Sequence, residues 1–202
     1  MKTSNKFTTM RVAFAPVFFL IYNIPLWTQS ELLYKISAFC MIPLLALFEL
    51  TDFFDGYYAR KNGEVSDFGK LYDPFADVML NLTVFLCATK SAAGNSVSYM
   101  PLVIFALILY REFSMNFIRM VAVSKGTAIA ARKGGKFKTV FYITSGFFML
   151  AVESALRLGF EPACFGALLV AAKILFSVCL VLSYISFIDY IKTFYSLLKN
   201  GS

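Results

Sequence analysis

Asp52, Asp55, Asp73 and Asp77 lie within one stretch, "LTDFFDGYYARKNGEVSDFGKLYDPFADVML", of an otherwise apolar chain. The first two are three positions apart and the last two are four apart, so on helices each pair shares one face, a turn apart. Gly56 and Ala59 lie on the face of the first pair, and Gly69 precedes Asp73 on its own face. Small residues there let a ligand or a partner helix approach the backbone closely. The intervening segment 60–67 contains Gly63 and several charges and reads as a turn, which makes the flanking helices antiparallel neighbours with facing carboxylates. Four converging carboxylates repel one another until protons or a cation compensate. With all-oxygen ligands and no histidine in the chain, the fitting ion is a hard divalent cation such as Mg²⁺, Mn²⁺ or Ca²⁺ rather than zinc. The alternative is a set of solvated helix-end charges, partly paired with Arg60 and Lys70.

The elements that must position these acids follow from composition. Of 202 residues, 59% are hydrophobic and only 15% charged, against about 25% charged in soluble domains. The mean hydropathy is +0.70. Several windows approach the ~20 apolar residues that span a bilayer as a helix. The reading is an all-α membrane protein with six transmembrane helices, at residues 8–27, 32–57, 68–89, 97–121, 137–154 and 163–187, forming one integral-membrane domain over 1–202. No polar/apolar alternation suggests a β-barrel. Cys40, Cys87, Cys164 and Cys179 lie in apolar stretches without metal-ligand spacing and read as small core residues. The apolar run after Lys2 and Lys6 has no small-residue cleavage pattern and reads as a retained first span.

Net charge is +7, and the distribution of cations sets the orientation. With six spans, Lys2, Lys6, Arg60, Lys61, the basic connector 124–136 and Lys192 fall on one side. Only Lys35, Lys90 and Arg157 fall near the other. Both termini and the acidic motif are therefore expected in the cytoplasm. In a membrane protein this basic balance points to anionic lipid or anionic substrates, and not to nucleic acid.

The string Asp52-x-x-Asp55-Gly56-x-x-Ala59-Arg60, eight residues, Gly69-x-x-x-Asp73-x-x-x-Asp77 resembles the complete signature of the CDP-alcohol phosphotransferases. The resemblance implies six transmembrane helices with cytoplasmic termini in the plasma (inner) membrane, a homodimer, and dependence on Mg²⁺ or Mn²⁺. It also implies transfer of a substituted phosphoryl group from a CDP-linked donor to an alcohol, with release of CMP. By the same resemblance Asp52, Asp55 and Asp73 hold metal. Asp77 is the general base and also touches a metal. Asp52, Gly56, Ala59, Arg60, Gly69 and Thr8 bind the CDP donor, although an arginine at a helix end such as Arg60 can equally face water.

A second resemblance concerns the acceptor. "NKFTTMR" places Asn5, Thr8 and Arg11 at intervals of three, "REFSMNFIR" carries Arg111 and Arg119, and "GKFKT" carries Lys136 and Lys138. Together these are similar to the branch of the family that joins CDP-diacylglycerol to glycerol 3-phosphate. A dianionic acceptor phosphate needs a cationic pocket, and Arg111, Arg119, Lys136 and Lys138 are the candidates. Arg132 and Lys133 contribute to it or belong to the positive-inside belt. Cations inside an apolar span usually have a defined partner, for which Glu112 is the obvious candidate. Two positions depart from the branch: Val78 follows the fourth aspartate where lysine is common, and Glu49 stands where a small residue is usual. Inositol phosphate is the alternative acceptor. From other classes, an intramembrane prenyltransferase and a divalent-cation transporter also use intramembrane acids, but the transporter reading favours internal repeats and midplane carboxylates, and no repeat is evident.

Overall fold

The computed structural model describes residues 3–61, 67–94, 97–124 and 133–200, with the backbone alone described for 3–6, 52–61, 67, 68, 70, 133, 134, 136, 193 and 196–200. Six helices follow in order: α1 Thr3–Thr28, α2 Glu31–Lys61, α3 Asp67–Cys87, α4 Leu102–Ser124, α5 Lys133–Arg157 and α6 Phe165–Asn200. Even α3, with 21 residues, reaches about 30 Å at 1.5 Å per residue, the thickness of a bilayer's hydrocarbon core. Among the described residues, four stretches are both long and apolar enough to cross a membrane: Phe7–Thr28, Glu31–Thr51, Phe137–Arg157 and Phe165–Lys192. Helices α3 and α4 are the two shortest, and they carry Asp67, Lys70, Asp73 and Asp77, and Arg111, Glu112 and Arg119, respectively. The six expected helices are thus all present, and the two that carry these charged side chains are the less apolar ones.

The expected fourth span begins too early. Residues 97–101 are not helical. Pro101 precedes the first helical residue, Leu102, and the amides of Tyr99 and Met100 both donate to the Ala88 carbonyl at 3.0 Å. That carbonyl stitches the α3–α4 connection shut. At the end of α5, Gly159 has φ +82°, and the Phe160 amide donates back to the Ala155 carbonyl at 2.9 Å. This is a glycine-terminated helix end that an L side chain would strain.

One buried cluster draws on all six helices. It includes Phe18 and Tyr22 of α1, Met41, Leu45 and Phe48 of α2, Val84 and Phe85 of α3, Ile108 of α4, Tyr142 and Met149 of α5, and Phe176 of α6. Phe85 stands at its centre, with ring centroids 4.8 Å from Tyr142 and 5.2 Å, edge-on, from Phe176. Gly146 lets α5 approach α3, since a Cβ there would lie 3.2 Å from Val84 Cγ1. The outer faces are apolar as well: Phe39, Leu102, Phe113, Phe117, Ile174 and Ile185 are all exposed. Such a surface suits lipid and not water.

Polar side chains gather at the two ends of the bundle. At one end lie Asp73, Asp77, Arg111, Glu112 and Lys138. Fifteen residues along α5, or about 22 Å at 1.5 Å per residue, Glu153 forms a second centre. It accepts from the Ser91 and Tyr99 hydroxyls at 2.9 Å, from the Ala92 amide at 3.0 Å and from Arg157 Nε at 2.9 Å. Arg157 Nη1 donates to Ser37 Oγ at 2.7 Å, and its guanidinium lies over the Tyr22 ring at 4.3 Å. Both Glu153 and Arg157 are buried, and each is paired with the other, as ionisable groups in a membrane bundle must be. This centre ties α1, α2, α5 and the α3–α4 connection together at the end remote from the acidic motif.

Candidate active site

Helices α1 and α3 run parallel from the acidic end, and two side-chain contacts join them in register. Thr8 Oγ1 donates to Asp73 Oδ1 at 2.7 Å. One turn further along both helices, Arg11 forms an ion pair with Asp77. The helical period explains the match: residues three apart on α1 face residues four apart on α3. Thr8 and Arg11 are fully buried, whereas the Asp77 carboxylate is 44% exposed. The arginine is therefore a fixed support, and the carboxylate is presented to the open side. Pro74, inside α3 directly after Asp73, removes one helical N–H between the two acids. Gly69 is buried one turn before Asp73.

The backbone of α2 carries Asp52, Asp55, Gly56, Ala59 and Arg60 on its last turns, as expected. Their side chains lie outside the described residues, as does that of Lys136, so the expected convergence of all four aspartates falls outside the described residues too. Among the described residues, no group of three or more His, Cys, Asp or Glu is placed to hold a metal. The donors that are described, Asp73 and Asp77, are oxygen ligands, which suits Mg²⁺ or Mn²⁺.

Asp77 opens into a cavity of about 260 Å³. Its wall brings together residues from all six helices: Arg11 of α1, Glu49 of α2, Asp77, Val78 and Asn81 of α3, Arg111, Glu112 and Arg119 of α4, Lys138 and Tyr142 of α5, and Ser186 of α6. Three of the four expected acceptor-phosphate residues, Arg111, Arg119 and Lys138, thus share one chamber with the expected base.

Glu112 organises the cations. One carboxylate oxygen accepts from Arg111 Nη1 at 2.8 Å. The other accepts from Lys138 Nζ at 2.8 Å and from the Tyr142 hydroxyl at 2.9 Å. Arg111 reaches α6 as well, its Nε donating to the Ser183 carbonyl at 2.9 Å, and it lies 5.6 Å from the Phe187 ring centroid. Arg119 lies near Tyr190, also on α6. The partnership foreseen for Glu112 is therefore real for Arg111 and extends to Lys138.

Sequence reasoning gave no role to Asn81, Tyr142, Ser186 or Tyr190. Asn81 could have been found, because it lies four residues after Asp77 and so on its face. Ser186 and Tyr190 lie in the second half of α6, near Asp189 and Lys192, and match no motif. The two positions that depart from the glycerol 3-phosphate branch, Glu49 and Val78, both line the cavity, so the local differences fall at the chamber itself.

The family model for CDP-alcohol phosphatidyltransferase matches residues 1–188. The chain belongs to this family. It is 35% identical over 204 aligned residues, covering 98% of this chain and 92% of the relative, to a CDP-diacylglycerol–glycerol-3-phosphate 3-phosphatidyltransferase of Treponema pallidum. It is 32% identical to the protein of the same name in Bacillus subtilis, over 67% of this chain and 69% of that one. A probable phosphatidylglycerophosphate synthase of Mycobacterium tuberculosis is 29% identical over 93% of this chain and 79% of its own. As a member of this membrane-enzyme family with several long apolar helices, the protein is a multi-pass membrane transferase.

Proposed function

We propose that this enzyme transfers the phosphatidyl group of CDP-diacylglycerol to glycerol 3-phosphate, forming phosphatidylglycerophosphate and releasing CMP. The observation that carries this reading is the shared cavity in which the half-exposed Asp77 faces Arg111, Arg119 and Lys138. A dianionic phosphate bound by those cations leaves the rest of a three-carbon acceptor to reach towards Asp77. The relatives named for this reaction support the same acceptor.

In this reading Asp77 takes the proton of the acceptor's terminal hydroxyl as its oxygen attacks the phosphorus of the phosphatidyl group. The new P–O bond replaces the bond to the CMP oxygen, which departs with its electron pair. Arg11 holds the Asp77 carboxylate in its orientation. Asp52, Asp55, Asp73 and Asp77 would hold Mg²⁺ or Mn²⁺, which when bound neutralises the pyrophosphate and polarises the phosphorus. Thr8, Gly56, Ala59, Arg60 and Gly69, with Asp52, form the donor's CDP subsite, the small residues giving access to the backbone. Lys136 adds to the acceptor's cationic wall. The excess of cations at the acidic end supports a cytoplasmic site and cytoplasmic termini in the plasma (inner) membrane, and the enzyme works as a homodimer among membrane lipids.

The test is CMP release by the purified protein with CDP-diacylglycerol, Mg²⁺ or Mn²⁺, and a panel of glycerol 3-phosphate, inositol phosphate, serine and water. Stimulation by glycerol 3-phosphate above all others is expected. Stimulation by inositol phosphate alone reassigns the acceptor. Absence of CMP release with every alcohol refutes the reaction and returns the prenyltransferase and transporter readings.

A further inference from the structure

The acceptor wall contains a feature that phosphate binding alone does not require. Of three cations, Arg111, Arg119 and Lys138, two are already engaged by a carboxylate buried to 2% exposure, Glu112. A site selected only for tight phosphate binding has no use for an acid competing for the same donors. The product offers a reason. The acceptor keeps its phosphate after transfer, so every contact to that phosphate binds substrate and product alike. Such uniform binding lowers KM without helping the chemical step, and it slows departure of the product.

We propose that Glu112 is a positioning residue that fixes Arg111 and Lys138 and holds the cavity's attraction for phosphate low enough to release the phosphorylated product. The inference rests on the acceptor-phosphate reading of this cavity. Its geometry is that of a spacer: each oxygen takes one cation at 2.8 Å, and the Tyr142 hydroxyl at 2.9 Å locks the carboxylate between them. An incoming phosphate draws on Arg119 directly, while Lys138 and Arg111 are shared with Glu112. When Glu112 is neutral, the full charge of both cations turns to the phosphate.

The experiment compares the wild-type protein with Glu112→Gln, using inorganic phosphate as the probe and CMP release as the readout. In the wild type, phosphate should compete with glycerol 3-phosphate. In Glu112→Gln its inhibition constant should fall about tenfold or more, the scale of one charged hydrogen bond. Acceptor KM and kcat should fall together, the signature of tighter ground-state and product binding. A glutamate that only stabilises the fold would lower kcat and leave the phosphate inhibition constant unchanged, and that result overturns the proposal. The double variant Glu112→Gln/Lys138→Gln should return phosphate inhibition towards the wild-type value; persistence of tight inhibition also overturns it. Should Glu112→Gln fail to fold, Glu112→Asp carries the test. It keeps the charge but is too short to span both cations, and it must strengthen phosphate inhibition in the same direction. Phosphate that does not compete with the acceptor in the wild type refutes the acceptor-site reading itself, and this inference with it.

Discussion

Arg11 of α1 and Asp77 of α3 form an ion pair in which the guanidinium is sealed at 1% exposure while the carboxylate remains 44% exposed. The asymmetry separates support from chemistry: one partner is packed and immobile, the other meets the cavity. Arg11→Met should therefore lower kcat about 10- to 100-fold, the usual loss when a supporting partner of a site group is removed, with both KM values changed far less. Arg11→Lys should recover little, because an ammonium cannot reproduce the guanidinium's fixed fork. Steady-state CMP release measures both.

Asp77→Asn removes the proposed proton acceptor but keeps the shape of the side chain. Turnover should fall by about 10²- to 10⁴-fold, the range for a general base, while binding of CDP-diacylglycerol is retained. Normal turnover in this variant would exclude Asp77 as the base.

Chelation of divalent metal should abolish CMP release, and added Mg²⁺ or Mn²⁺ should restore it. Asn variants of Asp52, Asp55 and Asp73 should each need a higher metal concentration for half-maximal rate. An unchanged metal titration in any of the three removes that residue from the metal site.

Arg111 and Arg119 lie on the same helix but should respond differently. Arg119→Ala should chiefly raise the acceptor's KM. Arg111→Ala should also lower the melting temperature in detergent, because its Nε bond to the Ser183 carbonyl joins α4 to α6. Equal thermal losses in the two variants would contradict this division.

Arg157→Met breaks a buried ion pair far from the cavity and leaves Glu153 charged without its arginine. The expected cost is about 3–5 kcal/mol of stability, read as a lower melting temperature. Turnover per folded molecule should be unchanged.

The paired aspartates and the six helices are legible in the sequence because both signals are local. A face-sharing spacing survives in any helix, and an apolar run of bilayer length is rare outside membrane spans. Asn81 is equally readable, four residues beyond Asp77 on the same helical face. The Arg11–Asp77 pair is a different case: 66 residues separate the partners, and nothing in either neighbourhood names the other. Glu112 is legible as a partner for Arg111, one residue before it, but Lys138 and Tyr142 arrive on α5 through tertiary packing. The start of α4 is misleading in the sequence because 97–100 is apolar enough for a span, whereas Pro101 and the Tyr99–Glu153 bond hold it as a connection. Ser186 and Tyr190 belong to no motif, and only tertiary packing brings their helix to the other five.

The register of α1 against α3 also bears on how the protein is made. Thr8 and Arg11 emerge from the ribosome 65 and 66 residues ahead of the aspartates they meet. Burying that arginine without its carboxylate would be costly, so α1 reaches its final packing only once α3 is in place. The contact that orients the Asp77 carboxylate thus also makes the seating of the first helix wait on the third.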